Sequence, residues 1–325
     1  MKGKRVLSGI QPSGGLHLGN YFGMMKPMIE YQEENELFCF LVNYHALTTV
    51  TDPKKLSRNT LKAAGDFLAL GLDPEKAVFW VQSDVPEVTE LTWILSNVTS
   101  VGLLERAHSY KDKIAKGITP NHGLLSYPVL MTADILLFGG EVVPVGKDQK
   151  QHLEISRDIA SRFNSIFGET FILPEPLIAK ETGLIPGIDG QKMSKSYHNT
   201  LDIFCDRDVL QKKVMSIVTD TTPVDHPKDP DTSSLYKIHC LFLDQAEREE
   251  LRNSYKKPGL SYGKAKQELA DLIWDYFLPF REKRKDLAEN EDVIIEVLKR
   301  GAEKARSVAM EFLEKARRNV GLMYG

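Results

Sequence analysis

The sequence predicts an α/β protein with a Rossmann-like parallel sheet in its first part and an all-helical domain after it. In the first 150 residues, short apolar runs rich in β-branched and aromatic residues alternate with longer amphipathic stretches. This alternation is typical of βαβ units. From about residue 200 the strand-like runs stop and the apolar spacing becomes helical.

The first part contains four predicted strands: Arg5–Ile10, Leu37–Asn43, Ala77–Gln82 and Glu141–Val145. A helix is predicted over Pro53–Gly71, because proline favours the start of a helix and glycine its end. A second amphipathic helix is predicted over Asp148–Phe167, with Gly168 as its stop. Since helix-length segments separate the strands, the strands are expected to be parallel.

The second part is predicted to be helical throughout. The predicted helices are Arg207–Val218, Ser233–Leu243, Gln245–Tyr255, Tyr262–Phe277 and Asn290–Val320. The last of them carries one uninterrupted apolar stripe. We therefore expect a first domain over residues 1–199 and a helical domain over residues 200–325, whose last helix can pack back on the first domain.

The composition is that of an ordinary globular protein of 325 residues, with 42% apolar and 27% charged residues. No stretch reaches 18 apolar residues, which argues against a membrane span or a signal peptide. Cys39, Cys205 and Cys240 are scattered and lack a C-x-x-C spacing. Such cysteine usage indicates a reducing compartment, so a cytoplasmic location is expected.

The loop PSGGLHLGNY, residues 12–21, follows the first predicted strand and opens the first helix. Its glycines let backbone approach a ligand closely, and His17 and Asn20 add donors for phosphate oxygens. In an α/β sheet, ligands bind at this end of the strands. The loop therefore indicates a nucleotide site, with a glycine-rich turn and a capping Asn as the alternative.

A second loop, Lys192-Met193-Ser194-Lys195-Ser196, lies between a glycine-containing segment and the start of the helical domain. Two lysines three residues apart can close over a polyphosphate and stabilise the charge on a leaving group. A pair of this kind is by itself more often solvated surface. Two phosphate-type loops in one chain favour the functional interpretation.

These motifs resemble the two signatures of the class I aminoacyl-tRNA synthetases. His17-Leu18-Gly19-Asn20 is similar to the HIGH motif, with Asn20 in place of its second histidine, and residues 192–196 match the KMSKS motif. The resemblance is strongest to the bacterial tryptophanyl-tRNA synthetase family and covers essentially the whole chain. It rests also on SGIQPSGGLHLGNY at 8–21, Tyr44-His45-Ala46, ADILLF at 133–138 and VPVGKDQKQHLEISRDIA at 143–160.

The resemblance implies a two-step reaction in protein biosynthesis. The amino-acid carboxylate attacks the α-phosphate of ATP, pyrophosphate leaves, and the aminoacyl group passes to the 3′-terminal ribose of a tRNA. The protein supplies alignment and charge stabilisation, and Mg²⁺ binds with ATP. The residues implied in catalysis are His17, Asn20, Lys192, Lys195 and Lys113. Those implied in ATP binding are Gln11, Ser13, Gly19, Asn20, Val145, Gly146, Asp148, Lys192, Met193, Ser194 and Lys195.

The amino acid implied by the resemblance is tryptophan, and Asp134 is its selector. This carboxylate lies in an apolar helical stretch, where an unpaired charge is costly. It would accept the indole N–H and exclude phenylalanine; the alternative is that it caps a helix or pairs with a cation. The resemblance implies a pocket of Leu7, His45, Tyr127, Met131, Asp134, Val143, Val145 and Gln149. Tyr127 and Gln149 would bind the α-amino group and His45 would lie near the carboxylate, with His152 and Glu154 as helix-surface or supporting residues.

The implied partners are tRNA(Trp), bound by the helical domain, and a second copy of the chain in a homodimer. Arg281, Lys283, Arg284 and Lys285 form a basic cluster that can contact the tRNA backbone, although ordinary solvated charges explain it equally well. Some members of the family with a similar sequence around the KMSKS motif carry a cysteine cluster near the anticodon domain. The corresponding residues 256–266 contain no cysteine, so no iron–sulfur cluster is predicted.

Three alternatives stay open at this point. A tyrosyl-tRNA synthetase shares the fold and the chemistry, but the sequences of residues 133–138 and 143–160 resemble those of the tryptophan enzymes. A nucleotidyltransferase of the HxGH type, acting without tRNA, would not need the helical domain or the two-lysine loop. A non-catalytic paralogue would usually have lost His17 or Lys195, and both are present.

Overall fold

The computed structural model describes residues 2–12, 14–107, 110–111, 117, 119–146, 149–178 and 185–324. Five strands form one parallel sheet in these residues, in the order β3-β2-β1-β4-β5. They are β1 (Arg5–Ile10), β2 (Glu36–Leu41), β3 (Ala77–Val81), β4 (Val142–Val145) and β5 (Glu175–Ile178). The predicted α/β class is therefore confirmed, and four of the strands lie where the sequence predicts them.

The strand β5 is absent from the sequence prediction. It lies at the edge of the sheet and pairs only with β4 among the described strands. It contains Pro176, directly follows Pro174, and none of its residues is fully buried. An edge strand tolerates proline because one row of its backbone groups needs no partner strand, and this composition hides it from a search for apolar runs.

The described helices begin with α1 (Leu18–Asn20), α2 (Lys26–Glu30), α3 (Asn43–Ala46), α4 (Pro53–Ala69), α5 (Glu87–Ser96), α6 (Val101–Glu105), α7 (His122–Leu136) and α8 (Lys150–Phe167). They continue with α9 (Arg207–Met215), α10 (Ser234–His239), α11 (Gln245–Tyr255), α12 (Tyr262–Glu289) and α13 (Glu291–Asn319). A π-helical turn over Tyr21–Met25 joins α1 to α2, and short 3₁₀ turns cover Tyr31–Glu33, Gln82–Asp84 and Lys195–Tyr197. Residues 185–324 contain no strand longer than an isolated bridge.

Local sequence signals set many helix ends. Asp52 accepts hydrogen bonds from the amides of Lys54 and Lys55 at the start of α4, and Pro53 follows it. Gly168, with a φ of 93°, ends α8. The helix predicted to end at Phe277 instead continues through Pro279 to Glu289. A proline costs a helix one hydrogen bond but does not always end it.

The described residues group into two compact units. The first comprises Met1–Ser13, Met28–Ala179 and Leu287–Gly325, and the second comprises Gly14–Pro27 and Lys180–Asp286. The first unit contains the sheet, α3 to α8 and α13. Its core is aromatic around Phe38, Phe40, Trp80 and Phe138, which lie within 4.8–6.3 Å of one another between ring centres.

The last helix, α13, packs against β3 and α5 in the first unit. A Cβ atom at Gly301 would lie 1.8 Å from the carbonyl oxygen of Phe79, so only glycine permits this approach. Arg306 pairs with Glu87, and Arg317 pairs with Glu90 on α5. Together these contacts hold the C-terminal helix against the outer part of the sheet.

The second unit contains α1, the loop with the KMSKS residues and the helices α9 to α11, with most of α12. Its centre is also aromatic, with Tyr21 and Phe22 packed against Phe242, Tyr276 and Phe277 at 4.9–6.3 Å between ring centres. Lys26 donates to the Tyr276 hydroxyl at 3.3 Å. The helix that follows the HIGH-type loop is thus held by the helical part of the chain.

Candidate functional site

A cavity of about 440 Å³ opens in the first unit at the carboxyl ends of β1 and β4. These two strands are neighbours, and the chain continues from β1 to β2 on the other side. Ligands in open parallel sheets bind at such a reversal of strand order. Alternate residues beside β1 line the cavity, namely Leu7, Gly9 and Gln11, and β4 contributes Val143, Pro144 and Val145.

Helix α7 supplies the wall opposite the sheet. Tyr127, Met131 and Asp134 are four and three residues apart, a spacing that places them on one helix face, and all three line the cavity. His45 from α3 and Gln149, just before α8, complete the set. The cavity thus brings together all eight residues implied in tryptophan binding, together with Gln11 and Gly146 from the ATP set. Their roles stay predictions.

Asp134 is 3% exposed and is not an isolated charge. Its Oδ2 lies 2.8 Å from Nε2 of His45. Nε2 of Gln82 donates to both carboxylate oxygens at 2.8 Å. Asp134 therefore has two hydrogen-bonding partners, and it also lines the cavity. The alternative of a pairing with a cation stays a prediction.

Burial raises the pKa of Asp134, because the charged form loses its hydration. The hydrogen bonds from His45 and Gln82 act in the opposite direction, since they stabilise the ionised form. The carboxylate is thus buried at the cavity wall and held by two hydrogen-bonding neighbours.

Two residues of this region have places that the sequence did not predict. Gln82, at the carboxyl end of β3, is 2% exposed and was not among the candidates. Its signal was available, because a polar residue at the end of a buried parallel strand faces the ligand edge of the sheet. His152 is 3% exposed, so a helix-surface position is wrong. Its Nε2 lies 2.5 Å from the Tyr127 hydroxyl, which fits a supporting role.

The second unit contains the HIGH-type loop. His17, 5% exposed, caps α1: its Nδ1 accepts from the Asn20 amide, and the Asn20 side chain accepts from the His17 amide, both at 3.3 Å. The alternative of a capped turn is therefore also part of the structure. Burial and then the charge of Lys195 lower the pKa of His17 to about 4, so its imidazole is neutral at pH 7.

The HIGH-type and KMSKS loops meet within this unit although about 175 residues separate them in sequence. The amide of Leu18 donates to the carbonyl of Leu201, and the amide of Ile203 donates to the carbonyl of Leu16, both at 3.0 Å. The amide of Gly19 lies 3.4 Å from Sδ of Met193. Nζ of Lys195 donates to the carbonyl oxygen of Gly14 at 2.9 Å. The structure thus brings together two motifs that the sequence connects only through their similar phosphate-type chemistry and through the resemblance.

Asn199 fixes the shape of the KMSKS loop from inside. It is 1% exposed, and its Oδ1 accepts from the Ser194 amide at 2.7 Å. Its Nδ2 donates to the Lys192 carbonyl at 3.0 Å and to the Asp189 carboxylate at 2.8 Å. A Cβ at Gly187 would lie 2.4 Å from the Asn199 amide group. This glycine therefore provides the space for the amide.

Some predicted site residues lie outside the described residues: Ser13, Lys113 and Asp148. In the basic cluster of the second unit, Arg281 lies over the Trp274 ring at 4.3 Å and donates to the Cys205 carbonyl. Arg284 lies over the Phe204 ring at 4.3 Å, whereas Lys283 and Lys285 are exposed. Two of the four cations therefore make intramolecular contacts with aromatic rings.

Within the described ranges, no three His, Cys, Asp or Glu side chains converge as a metal site would require. The helices described in these ranges include none that combines the length and apolar character of a membrane span.

Comparison with known proteins agrees with this geometry. The model of the family "tRNA synthetases class I (W and Y)" matches residues 2–277. A tryptophan–tRNA ligase of Fusobacterium nucleatum is 54% identical over 98% of this chain and 98% of its own. A crystal structure of tryptophanyl-tRNA synthetase from Campylobacter jejuni, complexed with ADP and tryptophan, is 53% identical. It covers 98% of this chain and 99% of its own, with a TM-score of 0.92.

The family model spans most of the sequence, and the similarity to these relatives extends over nearly its full length. The chain therefore belongs to the class I tRNA synthetase family of the tryptophan and tyrosine enzymes.

Proposed function

We propose that this chain is a tryptophan–tRNA ligase, which forms tryptophanyl-adenylate from L-tryptophan and ATP and transfers the tryptophanyl group to tRNA(Trp). The observation that carries the proposal is the buried carboxylate of Asp134 in a cavity whose walls also include the apolar residues Met131, Val143 and Val145. A buried carboxylate can accept a hydrogen bond from the single N–H of a large ring that is otherwise apolar, as the indole of tryptophan is. The relatives named tryptophan–tRNA ligase, at 54% identity, support the same choice.

In the proposed first step, the cavity holds tryptophan with its ring between the β4 valines and Met131. Asp134 accepts the indole N–H, and Tyr127 and Gln149 bind the ammonium group. The substrate carboxylate attacks the α-phosphate of ATP, and the bond to the β-phosphate oxygen breaks with its electron pair leaving on pyrophosphate. No covalent link to the enzyme is needed.

The loops of the second unit act on the phosphates in this proposal. Lys192 and Lys195 stabilise the charge that develops on pyrophosphate. Nζ of Lys195 donates one hydrogen bond to the Gly14 carbonyl, and its ammonium group has further donors for a phosphate oxygen. A neutral His17 can donate one hydrogen bond to a phosphate without the desolvation cost of a buried imidazolium. ATP enters as its Mg²⁺ complex, with the cation bound mainly by phosphate oxygens.

The tyrosine enzymes are the second candidate, because a buried carboxylate can also accept a hydrogen bond from a phenol. The identity to the tryptophan enzymes over nearly the whole chain favours tryptophan.

We assign the anticodon arm of the tRNA to the helical domain, residues 200–325, and its backbone contacts to the basic cluster, with Lys283 and Lys285 exposed. The enzyme is placed in the cytoplasm, where its three free cysteines would stay reduced.

A homodimer is part of the proposal and is supported by the surface of α5. The side chain of Trp93 is 71% exposed. It lies one helical turn after Thr89, which lines a second cavity together with Leu47, itself 57% exposed. An exposed tryptophan next to further apolar surface is typical of an interface. Sedimentation of the wild type and of Trp93→Lys would show whether this surface holds two copies together.

Aminoacylation tests the proposed function as a whole. The purified chain and MgATP are incubated with ¹⁴C-labelled tryptophan and a tRNA(Trp) transcript or, in parallel, with ¹⁴C-labelled tyrosine and a tRNA(Tyr) transcript. The expected result is acid-precipitable label on tRNA(Trp) only. Label on tRNA(Tyr) with tyrosine would move the chain to the sister enzyme, and adenylate formation without transfer to either tRNA would remove the ligase assignment.

A further inference from the structure

Gln82 is a buried amide that belongs to none of the predicted binding or catalytic sets. It lies just after β3 and is 2% exposed. Its Nε2 donates to Oδ1 and Oδ2 of Asp134 at 2.8 Å each. This nitrogen is thus equidistant from the two oxygens, whereas Nε2 of His45 lies 2.8 Å from Oδ2 alone. The two contacts together fix the direction and the plane of the carboxylate.

The orientation of the Gln82 amide is set by the backbone. The Tyr44 amide donates to Oε1 of Gln82 at 3.0 Å. Because a backbone N–H can only donate, the oxygen of Gln82 must face Tyr44 and its nitrogen must face Asp134. A flipped amide would lose the bond to Tyr44 and place an oxygen against the carboxylate.

The turn that begins with Gln82 and the segment that carries His45 are hydrogen-bonded to each other. Nδ2 of Asn43 donates to Oγ of Ser83 at 2.7 Å, and the Ser83 amide donates to Oδ1 of Asn43 at 3.1 Å. The donors of His45 and Gln82 are therefore presented to Asp134 from one interlocked pair of turns. A carboxylate has about four acceptor positions, and these two residues occupy only part of them.

We propose that Gln82 is a positioning residue that determines selectivity for the indole N–H, by holding the Asp134 carboxylate with its remaining acceptor positions toward the cavity. This inference rests on the proposed function, since it assumes that tryptophan occupies the cavity. Gln82 does not line the cavity itself. It acts through Asp134, so its removal should affect ligands that carry the N–H and spare those that lack it.

The test compares two ligands of nearly the same shape. L-tryptophan carries the indole N–H, whereas its benzothiophene analogue, β-(3-benzothienyl)-L-alanine, has sulfur in that position. Dissociation constants of both are measured by calorimetry for the wild type and for Gln82→Leu. Loss of a hydrogen bond to a charged group corresponds to roughly 10- to 100-fold in affinity. We expect Gln82→Leu to weaken tryptophan by about that factor and the analogue by less than about 3-fold.

A matched control comes from Gln32, whose amide also bridges two groups, the Gly71 carbonyl and the Asp73 amide, at 3.0 and 2.9 Å. Gln32→Leu should leave the ratio of the two dissociation constants unchanged. Gln82→Met, closer in shape to glutamine, serves if Gln82→Leu does not fold. If Gln82→Leu left the ratio of the two dissociation constants unchanged, with or without an equal loss of affinity for both ligands, the inference would be overturned and the proposed function would stand. Failure of the wild type to bind tryptophan would overturn the proposed function and the inference together.

Discussion

Nε2 of His45 lies 2.8 Å from Oδ2 of Asp134 in the cavity of the first unit. The resemblance assigns these residues to opposite ends of the amino acid, His45 near its carboxylate and Asp134 at its indole. In the structure they are hydrogen-bonded to each other. The two ends of the proposed tryptophan site are therefore linked, and the ionisation state of Asp134 matters for both.

Tryptophan affinity should fall at acid pH because of Asp134. Only the ionised carboxylate is purely an acceptor, and burial raises its pKa above the ordinary value of about 4. The affinity is expected to be full well above this raised pKa and to be lost as the pH falls through it. Calorimetric titration of tryptophan between pH 4 and 8 checks this in the wild type and in Asp134→Asn. An equally steep acid limb in Asp134→Asn, which cannot titrate there, would contradict the assignment.

His17 should make the folded state lose stability between pH 6.5 and 4. Its pKa is lowered to about 4 in the folded chain, whereas an unfolded histidine titrates near 6.5. The unfolded chain therefore binds the proton first, and this contribution is complete above pH 6.5 and disappears as the pH falls towards 4. From urea unfolding, we expect the wild type to lose about 2 kcal/mol more than His17→Asn between pH 7 and 4. Parallel pH curves for the two proteins would show that His17 titrates normally.

The KMSKS lysines should matter for the reaction rate and not for amino-acid binding. Lys192→Ala and Lys195→Ala each remove one positive charge from the developing pyrophosphate. We expect kcat for tryptophanyl-adenylate formation to fall by about 100-fold or more, with the dissociation constant of tryptophan within 2-fold of the wild type. Lys212→Ala, an exposed lysine on α9, is the control and should change neither value. A loss confined to tryptophan affinity would contradict the assignment.

Asn199 should hold the KMSKS loop in its working shape. Asn199→Ala removes the contacts to Ser194, Lys192 and Asp189 at once. Gly187→Ala forces the amide away, since its Cβ would lie 2.4 Å from it. Both variants are expected to lower kcat of adenylate formation by about 10- to 100-fold, with unchanged tryptophan affinity. The exposed Asn253→Ala on α11 is the control, and wild-type kcat in Asn199→Ala would refute this role.

Gly301 should be a stability residue with no direct part in binding. Gly301→Ala places a Cβ 1.8 Å from the Phe79 carbonyl, so α13 must move off β3. We expect the free energy of unfolding to fall by about 3 kcal/mol. In Gly263→Ala the nearest atom to the new Cβ is 3.9 Å away, and helix propensity predicts a change of at most about 1 kcal/mol in the stabilising direction. Equal stability of the two variants would mean that α13 does not pack tightly on β3.

The sequence was sufficient to predict features that depend on local pattern. The buried strands before β5 and helices such as Gln245–Tyr255 lie where apolar spacing and capping residues predict them. Because β5 has only four residues, contains Pro176 and directly follows Pro174, its local signal for a strand is weak. The division at residue 199 stays a prediction. That residues 14–27 group with residues 180–286 depends on long-range contacts, which spacing does not reveal.

For the residues of the site, too, local sequence pattern predicts only part of what the structure contains. Asp134 stands out because a charge in an apolar helix needs an explanation. Gln82 has a weaker signal, its place at the end of a buried strand, and His152 has none. The importance of both comes from the side chains that they contact, Asp134 and Tyr127, and these contacts are known only once the fold is known. Iron and acid-labile sulfide analysis of the purified protein checks the prediction that the chain carries no iron–sulfur cluster.

The most direct test of the central claim is amino-acid-dependent exchange of pyrophosphate into ATP. Wild type and Asp134→Ala are compared with tryptophan, tyrosine and phenylalanine as substrates. We expect exchange with tryptophan only and a kcat/KM for tryptophan lowered by about 100-fold in Asp134→Ala. Exchange with tyrosine in place of tryptophan, or full tryptophan activity in Asp134→Ala, would contradict it.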